Sequence, residues 1–559
     1  MNAERLRVLV LGGYGTFGGR LARLLCDEPR LTLLIAGRSL GKATAFAAAL
    51  RARAAVEPVR MDRSGDVAAA LAVLKPDLVV DASGPFQDAG PEPYRLVEAC
   101  IALKICYLDL ADATAFVAGI SGLDACARQT GVFALSGCSS FPALSFAALE
   151  ALRPGFANIE TVAAGIAPSP KARMGLNVVK AVCSYAGKKV PLIRDSKPTI
   201  GRGLIDGIEK TIAPPGCVPL RRRRFALADA PDLALLPQAI PGLQSEFTGA
   251  GTEPQFLQRL LGWFAWLVRL GIVRSLSPLA PLFHRISQLF AFGEHRGGMF
   301  VAVTGKTADG SALERSWHLT AEGDDGPFIP AMGAEAIIRG WLAGTKPEPG
   351  ARPAAGAVTL ADFEPLLARF AIRTGIRETS AVEHRSLYRR MLSSAWADLP
   401  PAVAAMHDGT ETRTVEGRAK MERGTGLLAR ITAAIIGFPA ENTDVPVSVQ
   451  FACDGGRETW TRTFAGKSFR SIQSAGTGGD DHLLAEDFGP FRVLIALVPE
   501  SGRLRLVIRR WRFLGLPLPL FLAPGGDTFE EERDGLFRFH VEIKSPITGL
   551  IVRYTGWLG

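Results

Sequence analysis

The sequence predicts an α/β protein: a doubly wound parallel sheet with an inserted α+β substrate domain, followed by a β-rich α+β C-terminal domain. Three observations carry this. Residues 8–11 are an apolar run that enters Gly13-x-Gly15-x-x-Gly18. Short apolar runs then alternate with amphipathic segments as far as residue 150, as strands and helices do in a parallel sheet. Beyond residue 380 the pattern changes to β-formers that alternate or cluster between turn residues.

The first unit is the most explicit. Gly13 permits a tight strand-to-helix turn, Gly15 lets the backbone approach a pyrophosphate, and Gly18 lets the next helix pack closely on the sheet. That helix is predicted over 16–26, with Phe17, Leu21, Leu24 and Leu25 on its apolar face. Its free N–H groups and positive dipole end suit phosphate, and Tyr14, Thr16 and Phe17 complete the loop. In a chain with 60 glycines the motif alone decides little, but a second strand at 31–36 completes a βαβ unit around it. This strand runs into Ala36-Gly37-Arg38-Ser39. An acid here would accept from a ribose 2′-hydroxyl, whereas an arginine pairs with a 2′-phosphate. Arg38, Ser39 and Lys42 therefore point to NADP, the alternative being a solvated arginine at a helix start.

The alternation continues. Asp62 closes the short stretch Arg60-Met61-Asp62 and joins the cofactor-binding set, and a helix with Val67, Ala70, Leu71 and Leu74 on one face leads to a strand at 78–81. That strand ends in Ala82-Ser83-Gly84-Pro85-Phe86, where Ser83, Gly84 and Pro85 are placed to shape a nicotinamide pocket. A helix at 94–102, a strand and exit loop at 106–112, a helix around 118–130 and a strand entering Gly137-Cys138-Ser139-Ser140 follow. Hydride transfer to a polar product needs a proton donor within reach, and Tyr107, Asp109 and Asp112 stand at a strand end. Equally, Asp109 and Asp112 can cap a helix or tie the loop. Ser139 and Ser140 lack a G-x-S-x-G frame and an identifiable histidine, which argues against hydrolase chemistry. Cys138 reads as a small buried hydrophobe or a reactive thiol.

Taken together, the glycine loop, Ala36-Gly37-Arg38, Asp81-Ala82-Ser83-Gly84-Pro85-Phe86, Tyr107-x-Asp109-x-x-Asp112 and Gly137-Cys138-Ser139-Ser140-x-Pro142 resemble the saccharopine dehydrogenase-like NADP-binding superfamily. The resemblance spans roughly 5–372. It implies a Rossmann domain at 1–150, an inserted substrate or dimerisation domain at 151–325 covering the nicotinamide, and a returning segment at 326–372. It does not imply saccharopine as the substrate. The tail, at 380–559, resembles a bacterial domain of unknown function found behind such domains, through Gly417-x-x-x-Met421-x-Arg423-Gly424, Trp460-x-Arg462-x-Phe464 and the stretch from Gly549 to Leu558.

Composition bounds the remaining classes. Eight scattered cysteines with no C-x-x-C, and seven histidines with no H-E-x-x-H, fit reduced thiols without a metal site. The N-terminal residues show no signal-peptide features, so a cytoplasmic location is expected. A net charge of +9 favours anionic partners, but no aromatic-interleaved basic stripe supports nucleic acid. Arg221, Arg222, Arg223 and Arg224 read as a solvated run or a phosphate or headgroup site.

The inserted domain opens with a strand at 159–166 and a helix or strand at 178–185. Its strangest part is 256–292. Residues 260–268 are wholly apolar or glycine, include Trp263, Phe264 and Trp266, and are flanked by Arg259, Arg269 and Arg274. The stretch is too short to span a bilayer, which needs about 20 residues. It suits a helix lying in a membrane interface, or one buried against another domain or the mate in a homodimer.

In the tail, strands are predicted at 415–421, 445–453, 458–464, 469–473, 493–499, 503–511 and 536–543, with a helix at 427–438, as a curved antiparallel sheet. With the apolar 514–521 stretch it could enclose an apolar ligand, or simply be filled by its own side chains. Arg462 and Arg470 read as readers of an acidic head or as solvated. The expected function is an NADP-dependent oxidoreductase acting on an apolar or lipid-like carbonyl, imine or enoyl compound. The competing expectation is a membrane-associated lipid-binding protein whose dinucleotide domain is regulatory or inactive.

Overall fold

The computed structural model describes residues 5–88, 90–172, 175–290, 292–380, 385–436 and 441–559. The chain divides into two compact units: residues 1–210 with 223–373, and residues 211–222 with 374–559.

The first unit contains the parallel sheet. Strands β1 (Leu6–Leu11), β2 (Leu31–Gly37), β3 (Ala55–Arg60), β4 (Leu78–Asp81), β5 (Cys106–Asp109) and β6 (Phe133–Ser136) lie in the order 3-2-1-4-5-6, the doubly wound arrangement. Strand Gly350–Pro353 adds to β6 in parallel, Ala351 opposite Ala134. All seven residues of β2 are buried, because helices cover both faces of such a sheet. The helix Ile329–Leu342 packs on α1 (Gly18–Leu25) and is tied there by charge. The fully buried Glu335 accepts from Arg339 Nε at 2.8 Å and from Arg369 Nη2 at 2.7 Å, and Arg339 reaches Asp27 at 2.7 Å.

A mixed sheet completes this unit. Asn158–Ala167 lies between Arg296–Lys306, antiparallel to it, and Ser245–Ala250, parallel to it; Ala312–Glu322 flanks the former. The 178–185 segment, open between helix and strand in the sequence, is helical within Leu176–Tyr185. The helix expected around 118–130 is instead two short α-helices, Thr114–Gly119 and Asp124–Thr130, joined by a 3-10 turn.

The second unit is a closed antiparallel barrel. Its ten strands are Arg413–Arg423, Asn442–Asp454, Arg457–Phe464, Lys467–Ala475, Leu484–Phe488, Phe491–Glu500, Arg503–Phe513, Thr528–Arg533, Leu536–Ser545 and Gly549–Leu558. Each pairs with the next, and the last pairs with the first, Leu558 standing opposite Gly417. The predicted curved sheet is therefore a ring, which leaves no open edge within it. Strands 484–488, 528–533 and 549–558 had no counterpart among the predicted strands: the first two are short and carry acidic residues that blur the alternation, and the third was read only as a motif of the resemblance. The helix expected at 427–438 is Leu427–Ile436; residues 437 and 438 lie outside the described residues. Segment 211–222 belongs to this unit: Arg377 Nε donates to the Ala213 carbonyl at 2.6 Å, and Val218 packs on Leu483 and Leu494.

Candidate functional site: a dinucleotide crevice

The glycine loop is shaped by contacts that no side chain would survive. A Cβ at Gly13 would lie 2.7 Å from the Val10 carbonyl, and one at Gly18 only 2.4 Å from the Gly12 carbonyl. Gly12 itself has φ +75°, and its carbonyl accepts from Gly15 N–H at 2.8 Å. This tight turn delays α1, which starts at Gly18 rather than at residue 16; Thr16 and Phe17 belong to the loop. The loop thus presents backbone at the start of a helix of eight residues, the arrangement that accommodates a pyrophosphate.

At the end of β2 the side chains divide their roles. Tyr14 lies over Gly37, where a Cβ would meet its ring at 2.5 Å, and its hydroxyl accepts from Ser39 N–H at 3.0 Å. Ser39 caps the helix Leu40–Ala49, accepting from Lys42 N–H. Arg38 is exposed. No hydrogen bond or ion pair holds it among the described residues, so its guanidinium is available for an anion. Asp62 is exposed and accepts from Ser64 N–H at 2.9 Å.

The β4 exit loop is pinned at both ends. Buried Asp81 accepts from Ser83 N–H at 2.9 Å and from Ser83 Oγ at 2.6 Å, with Arg63 at 3.4 Å from its other oxygen. Asn177, on the helix Leu176–Tyr185, donates from Nδ2 to the Gly84 carbonyl at 2.7 Å. Gly175, just before that helix, approaches Thr16 so closely that a Cβ would sit 2.7 Å from its hydroxyl. The inserted segment therefore touches both the glycine loop and the 83–85 loop. Sequence reasoning missed Asn177, and an isolated asparagine in a helix offers no local signal for such a contact.

The three catalytic candidates differ in access. Tyr107 is buried within β5, its hydroxyl without a partner among the described residues, and burial pushes its pKa well above 10. Asp109 is also buried. Its Oδ1 accepts from Ala111 N–H at 2.9 Å, Gly137 N–H at 2.8 Å and Ser136 Oγ at 3.0 Å, so it ties the ends of β5 and β6; Oδ2 has no partner among the described residues. Burial raises its carboxyl to about 7 against the lowering effect of those hydrogen bonds. Asp112 is exposed, with Oδ1 accepting from Gln87 Nε2 at 2.9 Å. Next to Asp109, Cys138 is fully buried, and burial pushes its thiol well above the ordinary value, which leaves it a small hydrophobe rather than a nucleophile.

Other flagged features resolve individually. Arg223 is neither solvated nor free for phosphate: it is buried and pairs with Glu253 at 3.1 Å, while Arg224 donates to the Ile205 carbonyl. The helix Gln255–Arg269 turns Leu261, Phe264 and Val268 onto a core with Tyr185 and Phe283, and leaves Trp263 and Trp266 outward, 71% and 42% exposed. Arg269 stacks over Trp266 at 4.3 Å. Leu270, Ile272, Leu282 and Leu289 extend the exposed apolar surface. Among the described residues no helix is long and apolar enough to cross a membrane.

Residues 8–135 match the family model of the saccharopine dehydrogenase NADP binding domain, and residues 399–558 match that of a domain of unknown function, DUF4166. No curated protein matches the chain. Among solved structures, apo saccharopine dehydrogenase (L-Glu forming) from Saccharomyces cerevisiae is 14% identical, with 67% of this chain and 99% of that one covered at a TM-score of 0.46. Biliverdin reductase from Synechocystis, solved with biliverdin and NADP+, is 13% identical, with 61% and 92% covered at a TM-score of 0.29. The first matched segment thus runs from β1 through β5, and the second contains the ten strands of the barrel.

Proposed function

We propose that the chain is an NADP-dependent oxidoreductase acting on an apolar or lipid-like carbonyl, imine or enoyl substrate. The observation that carries the cofactor reading is the pairing of a glycine loop closed to any Cβ with an exposed, unpaired Arg38 at the end of β2. Gly13, Gly15 and Gly18 would hold the pyrophosphate, Arg38 the 2′-phosphate, and the 83–85 loop the nicotinamide. Bound there, NADPH supplies a hydride for an electrophilic carbon.

The protein's own groups position and move protons. Asp81 and Asn177 hold the 83–85 loop from two sides, which fixes the wall of the pocket. Asp109, with an unpartnered Oδ2 and a carboxyl raised to about 7, can hold or release a proton near neutrality. Asp112 reaches solvent and is the candidate for exchange with the outside. The apolar substrate class is supported by the outward tryptophans of the inserted domain and their neighbours. These same residues favour a second reading, a peripheral membrane lipid-binding protein with an inactive dinucleotide domain.

Titration calorimetry of the intact chain separates the two. NADPH binding tighter than NADH is expected, and Arg38→Ala should weaken NADPH about tenfold while sparing NADH, the loss of one exposed charge-assisted contact. Absence of NADPH binding, or an NADH preference, would overturn the oxidoreductase reading.

A further inference from the structure

The barrel is hollow, and its two ends differ. Side chains alternate along its strands, so that Val447, Val449, Trp460, Phe464, Val493 and Ile495 face inward and bound a chamber of about 770 Å³. Protein cores packed at ordinary density leave few voids larger than a water molecule, whereas ligand pockets span roughly 300–1,000 Å³. The end that carries the 455–456 and 534–535 turns is capped by the helices Leu387–Leu392 and Pro401–His407. Arg390 Nη2 donates there to the Gly456 carbonyl at 3.2 Å and Ala402 N–H to Glu532 at 2.7 Å, while Tyr388, Leu392 and Val403 pack into the core. The connections at the opposite end follow strands Arg413–Arg423, Arg503–Phe513 and Leu536–Ser545, and they leave Leu427, Leu514, Leu516, Phe521 and Ile547 exposed. An apolar collar of this kind suits the entry of an apolar chain.

The open end parts on one side. Strand Lys467–Ala475 pairs with Leu484–Phe488 only from Ile472, opposite Asp487, to Ala475, opposite Leu484. Residues 467–471 therefore stand clear of that neighbour, and the chamber is bordered by Phe469 and Arg470 on this lip and by Phe488 and Pro490 on the other. The remaining charges on the wall are engaged. Arg462, expected to read an acidic head, is committed to Glu486, to which its Nη2 donates at 3.3 Å, and its guanidinium lies over Trp460 at 4.7 Å. Arg505 meets Glu500 at 3.1 Å and Glu542 meets Lys544 at 2.6 Å. Glu530, beside the capping helices, meets His407 Nε2 at 2.6 Å. Arg470 is exposed, and among the described residues no hydrogen bond or ion pair engages it. The chamber wall thus keeps one uncompensated cation, at its open end, in front of an apolar interior.

We propose that the barrel binds a long-chain carboxylate, its apolar tail in the chamber and its head paired with Arg470 at the cleft between 467–471 and 488–490. A guanidinium offers two parallel N–H donors that match the two carboxylate oxygens, and one free cation matches one negative charge. With the head at this lip the anion keeps much of its water while the tail leaves water altogether. The reverse orientation is costly, because a head carried inward would be desolvated and would approach Glu486 and Glu530. The site lies wholly within the second unit and does not rest on hydride transfer in the first.

The test uses the full chain without cofactor. The neutral dye N-phenyl-1-naphthylamine should brighten on binding, and dodecanoate and dodecan-1-ol should both displace it. Val449→Trp, which fills part of the hollow, should weaken dye binding at least about tenfold and so locate the dye in the barrel. Arg470→Ala should weaken dodecanoate about threefold to fivefold, the worth of one exposed charge pair, while leaving dodecan-1-ol and the dye unchanged. Arg470→Lys should recover part of that loss, and high salt should shrink the difference between wild type and Arg470→Ala. Arg470 is exposed, so its variants keep the proposal testable if Val449→Trp fails to fold. The proposal is overturned if the dye does not bind, if a folded Val449→Trp binds it as the wild type does, or if Arg470→Ala leaves dodecanoate affinity unchanged or weakens the alcohol equally.

Discussion

Replacing Asp109 by asparagine isolates the cost of a buried carboxylate at the end of β5. Asparagine retains an Oδ1 for Ala111 N–H, Gly137 N–H and Ser136 Oγ, and sets its amide nitrogen where the wild-type Oδ2 has no partner. The variant therefore mimics the protonated acid. In the folded chain this carboxyl titrates at about 7, against an ordinary 3.8. A raised acid binds its proton more tightly folded than unfolded, so stability is full below the unfolded value and is lost as pH rises toward 7. The gap spans roughly three pH units, at 1.36 kcal/mol each, or ~4 kcal/mol at most; relaxation around the charge reduces this to about 2–4 kcal/mol. Asp109→Asn should therefore be near-neutral at pH 4.5 and more stable than wild type by that amount at pH 8. Pulsed hydrogen exchange across a denaturant series, read on the peptide containing β5, measures this unit separately from the barrel. A variant equally destabilised at both pH values would show that Asp109 is ionised and supported in the fold, and would refute the reasoning.

Three further outcomes follow from the same packing. Glu335→Ala strips the shared partner from Arg339 and Arg369, and should cost about 2–3 kcal/mol in urea unfolding of the first unit, the low end for a buried charge network because both arginines keep some solvent. Glu335→Gln should recover part of that loss, and equal losses would assign the effect to packing instead. Trp263→Ser combined with Trp266→Ser should lower co-flotation with vesicles containing anionic phospholipid by severalfold, since these rings and Arg269 form the exposed edge of their helix; unchanged flotation, or none for the wild type, removes the membrane reading.

Much of the fold was legible because its signals are local. The run from Val8 to Gly18 carries strand, turn and helix within a few residues, and the clash a Cβ would suffer at Gly13 or Gly18 arises from backbone only a few positions away. Likewise the strands at 445–453 and 458–464 announce themselves by alternation, since each inward residue stands two positions from the next. The candidate site was legible less evenly. Sequence pointed to Tyr107, Asp109 and Asp112 as a group, but their spacing says nothing of depth, and only the packing of Gly137 and Ser136 against Asp109 buries one carboxylate while Asp112 stays open.

What the sequence determined by itself was a few local features and the chemistry each carries: the phosphate loop, the arginine at the end of β2, and the β-rich character of the tail. Tertiary structure decided which of these meet. Asn177 reaches Gly84 across 93 positions of chain, and Leu558 closes the barrel on Gly417. Neither contact leaves a trace in the residues beside it. Phe264 turns inward while Trp263 and Trp266 turn out, a choice set by the core that the helix lands on. The hollow of the barrel has the same origin: whether inward side chains meet across it depends on the ring closed by long-range pairing, and no stretch of sequence holds that information alone.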